Sequence, residues 1–397
     1  MKAKVILATI LILAASCVKN EVREVSIHGD GQILYNPAPL RSMTTKAGVN
    51  PTPFPTDATF GSCAWYLPGD NKWDDHHAAA ATDPVAPTLY IEPSKISYNE
   101  ASKVWRNEGK TYYWPMNGSL TFISWAPADL LDKVDASNNK LNSVTRKEGF
   151  KITNWKMENT PGYGIVPPTS EGGVSTDPDV DILLSYTKDC TRNTADGKVT
   201  TVFSHLLCKV KIVATLAKPL GVGEKPWEVT SVTLSDIYTQ GNYSTYVKDE
   251  SNKITLSKLW RNQSGLSLYE TNPENRPEKY VSVEYRKDGI GTDAVIFPET
   301  LFMPQFLTER TKGDSNTRPK ITINCKNGKG EVKTLVGLLF NKNASSLEVW
   351  NQGKSITYVV TLGEEDTDID FDAKVEENDW TSGNDFNVGV GKIINGE

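Results

Sequence analysis

Apolar and polar side chains alternate in short runs along most of this chain, and each run is closed by Gly, Pro, Asn or Asp. Residues 120–125 (LTFISW), 199–203 (VTTVF) and 208–213 (CKVKIV) are β-branched and aromatic, and 111–114 (TYYW) shares their composition. The texture repeats at 229–234, 280–285, 320–324 and 355–362. Runs of this length and period predict strands that cover a core with one face. Helical signal is thin: residues 127–133 predict a turn or two, and 78–81 are a helix-prone alanine patch. The predicted fold class is therefore all-β. A Pro/Gly stretch at 218–226 marks the best boundary, so two β-sandwich domains are expected, one over 47–217 and one over 218–397.

The first residues follow a different pattern. Lys2 and Lys4 precede an apolar run from Val5 to Leu13, too short to span a bilayer, and small residues and a cysteine follow. This is a signal peptide over 1–16. Its ending, Leu13-Ala14-Ala15-Ser16-Cys17, resembles the bacterial lipoprotein cleavage site, at which the cysteine thiol is acylated and becomes the new N-terminus. Cys17 is the expected lipid site, and the chain is expected to be anchored to a membrane surface without crossing it. Residues 17–46 then hold a polar tether and a first strand, with the alternating run VSIH at 25–28. Residues 36–57 carry Pro37, Pro39, Pro51, Pro53 and Pro55 among polar residues, the composition of an exposed loop open to proteolysis. That loop would separate one strand from everything after it.

Composition narrows the function. With 38% hydrophobic, 23% charged and 9% aromatic residues the chain has the means to build a core, and 43 Lys+Arg against 49 Asp+Glu leaves no positive field to attract nucleic acid. After Cys17 the remaining cysteines, Cys63, Cys190, Cys208 and Cys325, show no zinc spacing, and three disulfide connectivities stay open. Asp74-Asp75-His76-His77 has metal-ligand chemistry but reads as a solvated loop, because adjacent residues rarely all face one ion. His205, between a strand and Leu206-Leu207, reads as a core or interdomain histidine holding a hydrogen bond. Asp366, Asp368, Asp370 and Asp372 alternate with Ile369 and Phe371, as on a strand with one solvated face. They match a calcium loop only in part, since Phe371 stands where its glycine belongs. Trp65, Tyr66 and Trp73 suit core packing or sugar stacking, the first being the commoner use. No nucleophile elbow, phosphate loop or dinucleotide fingerprint occurs, so no catalysis and no cofactor is expected.

The order of several segments resembles one family. Trp105, Tyr112-Tyr113-Trp114-Pro115, Gly118 and the LTFISWAP stretch at 120–127 are similar to a stretch of the fimbrillin-like proteins of Bacteroides-type bacteria. Residues 181–184 (DILL), 203–210 (FSHLLCKV), Gly241-Asn242-Tyr243, Met303-Pro304-Gln305, Trp350, Tyr358 and Trp380 follow in the family's order. The resemblance spans nearly all of the chain after the signal peptide. It implies pilus subunits exported as lipoproteins and built from two transthyretin-like β-sandwich domains. It also implies that an Arg- or Lys-specific protease cuts the loop after the first strand, that the strand leaves, and that a strand donated by the next subunit fills the groove. Val25, Ile27, Ile33 and Leu34 would belong to the departing segment. Arg41 and Lys46 are the two possible cut sites, with Thr45-Lys46-Ala47 similar to the family's junction.

Beyond Trp380, Phe386, Val388 and Val390 alternate with Ile394 in phase, as a donor strand within 381–397 requires. The expected partners are other pilus subunits and the outer membrane through the lipid, with the fimbrium at the cell surface as the final location. The alternative is a monomeric outer-surface lipoprotein that binds glycans or host proteins through the region of Trp65 and Trp73.

Overall fold

A computed structural model describes residues 31–38, 54–135, 137–157, 181–194, 197–246, 259–270, 280–285, 294–308, 317–340, 347–363 and 375–379, with the backbone alone for 265–270 and 375–379. The first half contributes β1 (Leu34–Ala38), β2 (Phe60–Leu67), β3 (Thr88–Asn99), β4 (Val104–Asn107), β5 (Ser119–Ala126), β6 (Asn142–Thr145), β7 (Gly149–Lys156), β8 (Leu183–Cys190), β9 (Lys198–Val202) and β10 (Ser204–His205). The second half contributes β11 (Cys208–Leu216), β12 (Trp227–Ser244), β13 (Trp260–Glu270), β14 (Val281–Val283), β15 (Ala294–Phe302), β16 (Gln305–Phe306), β17 (Lys320–Lys326), β18 (Val332–Leu338), β19 (Val349–Trp350), β20 (Lys354–Leu362) and β21 (Val375–Asp379). The all-β reading is met. The helical pieces described are α1 (Trp73–His76) and a 3-10 turn over Ala128–Asp132, the latter where a turn was expected, while 78–81 forms no helix. No described helix is long and apolar enough to cross a membrane.

Eight strands form the first sheet in the order β10-β8-β5-β2-β3-β4-β1-β9. A four-stranded sheet, β15-β11-β20-β21, faces a larger one, β18-β17-β12-β7-β6, to which β13 and β14 add through β12. Three cores follow from side-chain alternation. Leu120 and Phe122 of β5 enter the core of the first sandwich, while Ile123 and Trp125 point the other way into a middle core with Phe150, Tyr243 and Trp260. All eight positions of β5 are therefore buried. The third core, with Ile212, Val232, Phe302, Ile323, Trp350 and Tyr358, fills the second sandwich.

Strand pairing crosses the expected line at 217/218. β11 lies before it, yet runs parallel to β20 over eight register pairs and antiparallel to β15. The β6–β7 hairpin, also from the first half, joins β12 through Gln240↔Lys156 and Tyr243↔Ile152. The Pro/Gly stretch at 218–226 is thus a connection from β11 to β12 within one set of sheets. The passage between the sandwiches is Phe203–Cys208, which contains no breaker residue. Residues 111–114 also differ from the expected strand: their one described pairing is the bridge of Tyr113 to Gln32.

That passage is fastened by side chains from both sides. His205 Nδ1 and Asp181 Oδ2 lie 2.6 Å apart with both residues buried, Trp260 Nε1 donates to Leu206 O at 2.8 Å, and Gly353 N donates to Leu207 O at 2.8 Å. His205 is the hydrogen-bonded core histidine expected from the sequence. Removing one partner of a buried hydrogen bond leaves the other unsatisfied, at a cost of about 1–3 kcal/mol. His205→Ala should lower the urea midpoint by that equivalent, and an unchanged midpoint would show that the pair does not hold the passage.

Candidate functional site: a strand seated in an aromatic groove

The local sequence Ile33-Leu34-Tyr35-Asn36-Pro37 forms a strand because apolar positions recur at period two and the chain is extended into Pro37. β1 runs parallel to β9 from Leu34↔Lys198 to Ala38↔Val202 and meets β4 antiparallel at Tyr35↔Trp105. Pro37 lies past the pair with β4, so its missing N–H removes no bond from that ladder. Ahead of β1, Ile33 N donates to Tyr112 O and Trp114 N to Gly31 O, each at 2.8 Å. The strand therefore lies between neighbours on both edges.

Ile33, Leu34 and Tyr35 are almost fully buried. The Tyr35 ring meets Phe60 at 5.7 Å and Phe122 at 6.0 Å, both edge-to-face. Next to it Phe54 stacks on Phe203 at 5.2 Å and meets Trp105 edge-to-face at 5.4 Å. Such ring pairs add to area burial because the positive edge of one ring faces the negative face of another. Burial of each apolar side chain of β1 is worth roughly 1.5–3 kcal/mol. Burial also pushes the Tyr35 phenol far above its ordinary range. Without β1, the inner edges of β4 and β9 would lose their pairing and the floor of Phe60, Phe122 and Trp105 would be uncovered. The site is a groove shaped for one extended segment.

Sequence reasoning caught this strand in part. It assigned Ile33 and Leu34 to a removable segment but began the loop at residue 36, whereas β1 continues to Ala38 and takes in Asn36 and Pro37. Tyr35 and Phe54 were missed, although Ile33-x-Tyr35-x-Pro37 carries the period-two signal. Cys17, Val25, Ile27, Arg41, Lys46, Asp366, Asp368, Asp370, Asp372, Phe386, Val388, Val390 and Ile394 lie outside the described residues.

The other candidates are inside. Trp65 and Trp73 are buried in the middle core, 5.8 Å apart, so they present no surface for a sugar. Asp74 is exposed and pairs with Lys188 at 2.6 Å, while the His77 ring stacks on Tyr246 at 4.3 Å. Among the described residues no group of three or more His, Cys, Asp or Glu is placed to hold a metal.

A profile of the fimbrillin-like family matches residues 70–380. The chain belongs to the fimbrillin-like family. Its fold is similar to that of a fimbrial protein from Bacteroides vulgatus, with a TM-score of 0.51 at 16% identity over 81% of this chain and 93% of that one. A candidate cell adhesion protein from Bacteroides uniformis gives a TM-score of 0.42 at 14% identity over 89% and 100% of the two chains. The tip fimbrial protein Mfa3 from Porphyromonas gingivalis gives 0.33 at 10% identity over 82% and 95%. No curated protein matches. The fimbrillin-like chain thus shares its β-sandwich fold with a solved fimbrial protein.

No disulfide links the described cysteines of this fimbrillin-like chain: Cys63, Cys190, Cys208 and Cys325 are buried thiols. Cys208 donates to Phe302 O and Cys63 to Ile123 O. Burial pushes the Cys190 and Cys325 thiols up to about 11 and Cys63 well above the usual range. At pH 8 these three stay protonated, and the thiolate is the reactive form. In a Cys17→Ser chain, a disulfide reagent at pH 8 should find the thiols silent until denaturant is added; prompt reaction in the native state would contradict their burial. Tyr35→Ala should destabilise by about 3–5 kcal/mol, as large aromatic truncations in cores do. The exposed neighbour Asn36→Ala should stay within about 0.5 kcal/mol, and equal effects in denaturant titration would mean that β1 is not seated in the groove.

Proposed function

We propose that the chain is a fimbrial subunit, made as a precursor lipid-anchored to the outer membrane through Cys17 and assembled at the cell surface by exchange of strands. On this reading cleavage after Arg41 or Lys46 releases the N-terminal segment, β1 leaves, and a strand from the next subunit takes its place. The donor is the C-terminal segment, with Phe386, Val388, Val390 and Ile394 entering the pockets that held β1. The role is structural and adhesive, with no catalysis and no cofactor.

One observation carries the reading. β1 is an interior strand of its sheet, yet it is the first described strand of the chain and is joined to the rest through residues 39–53, which contain both basic candidates. A cut there severs β1 from the sheet without breaking any other strand. What remains is an apolar groove between two unpaired edges, and an extended segment with alternating apolar residues satisfies both at once. The energetic logic is exchange: the leaving strand and the arriving strand cover the same apolar area, so the gain lies in pocket fit and in the ladder length that the new strand achieves.

The test uses chain lacking residues 1–17, exposed to an Arg/Lys-specific protease and sized by light scattering, with Arg41→Ala and Lys46→Ala separately and together. Ladders of oligomers should form after cleavage, fail in the double variant, and fail when residues 381–397 are removed. A product trimmed cleanly at 41 or 46 that remains monomeric would sink strand exchange for this chain.

A further inference from the structure

The slot that holds β1 has unequal walls. β4 meets β1 on one edge and pairs with β3 on the other, from Ile96↔Asn107 to Asn99↔Val104, so a second ladder holds it. β9 stands at the end of the sheet, and its register pairs, Leu34↔Lys198 to Ala38↔Val202, all go to β1. Among the described residues it enters no other ladder.

The path of the chain shows how this arises. β8 ends at Cys190, and the chain turns back before Lys198 to run alongside it. Only the last part of the returning segment pairs with β8: β10 does so through Ser204↔Leu184 and His205↔Leu183, while β9 leans away to β1. Phe203 lies between the two pairings, buried and stacked on Phe54 at 5.2 Å. Across the gap from β8, Thr187 Oγ1 donates to Thr200 O at 3.1 Å in an exposed bond. At the head of β9, Trp114 Nε1 donates to Gly197 O at a long 3.4 Å. The apolar footing is as slight. Within β9 only Val199 belongs to the first core, and its register partner is Tyr35. Lys198, Thr200 and Val202 are half-buried or exposed.

These facts decide what β9 does when β1 is unseated. Fixing the backbone of a whole strand costs more conformational entropy than one buried valine returns, and the ladder that offsets the difference is the one lost. We propose that β1 and β9 open as a single two-strand flap, bounded by Phe203, while β4 and β10 stay in place. On the strand-exchange reading, an incoming strand then pairs first with β4 and is clamped by β9 afterwards. The flap itself does not require that reading.

Native-state hydrogen exchange on the full, uncut chain is the test, and its outcome is separate from whether oligomers form after proteolysis. The amides of β1 and β9 should share one opening equilibrium and one dependence on denaturant, and should open at least about tenfold more readily than those of β5. Tyr35→Ala should speed exchange in both strands by the same factor, about a hundredfold or more. Should that variant not fold, Val199→Ala is the milder counterpart: a change within β9 that should speed β1 and β9 alike, by roughly tenfold. β9 amides that keep the protection of β5 while β1 opens, or that open without β1, would overturn the flap.

Discussion

A strand in the interior of a sheet has two edges to pair and two faces to cover, and the first sandwich cannot supply that strand from its compact part. Strands β2–β5 and β8–β10 build a sheet with a slot between β4 and β9, and the slot is filled by five residues that come before the loop. The aromatic floor makes the slot demanding. Phe54, Phe60, Trp105 and Phe203 are packed ring against ring, and the Tyr35 ring links Phe60 of that set to Phe122. Water is a poor substitute for a ring at that position. The stability of the first core and the identity of whatever occupies the slot are therefore one question.

The all-β class was legible because alternation is a local signal. Runs at 120–125, 320–324 and 355–362 fall inside observed strands, as does 199–202 of the run at 199–203, and the family resemblance rested on residues such as Trp105 and Trp125 that are now seen to line cores. Boundaries were less legible. The Pro/Gly stretch at 218–226 has the composition of a linker, but composition reports a turn and not which sheets the turn joins. The β6–β7 hairpin illustrates the same limit: its sequence gives no sign that Ile152 and Trp155 pair with Tyr243 and Gly241, far later in the chain. For the groove, the breaker-rich composition from residue 36 onward masked three more residues of strand, and Tyr35 was overlooked for that reason. Trp65 and Trp73 show that an aromatic pair beside a polar loop says little about exposure, since α1 folds Trp73 inward while Asp74 on the same short helix faces solvent.

Both halves of the molecule share the middle core. Trp125 and Ile123 reach it from β5, Phe150 and Ile152 from β7, and Tyr243 from the far end of β12, whose earlier residues Val229, Val232 and Leu234 belong to the core of the second sandwich. At about 3.3 Å per residue, the 18 residues of β12 extend up to roughly 60 Å. A single strand thus runs from one hydrophobic centre into the next. The buried His205–Asp181 pair and the bonds to Leu206 and Leu207 hold the covalent passage beside it.

This arrangement has a mechanical meaning. Two globular bodies joined only by a peptide would swivel, and a chain of such units would be limp. Here the β6–β7 hairpin, tethered at both ends to the first body, is stitched into the ladder of the second. Separating the bodies must therefore break the pairing of β7 with β12 and open the core that both share.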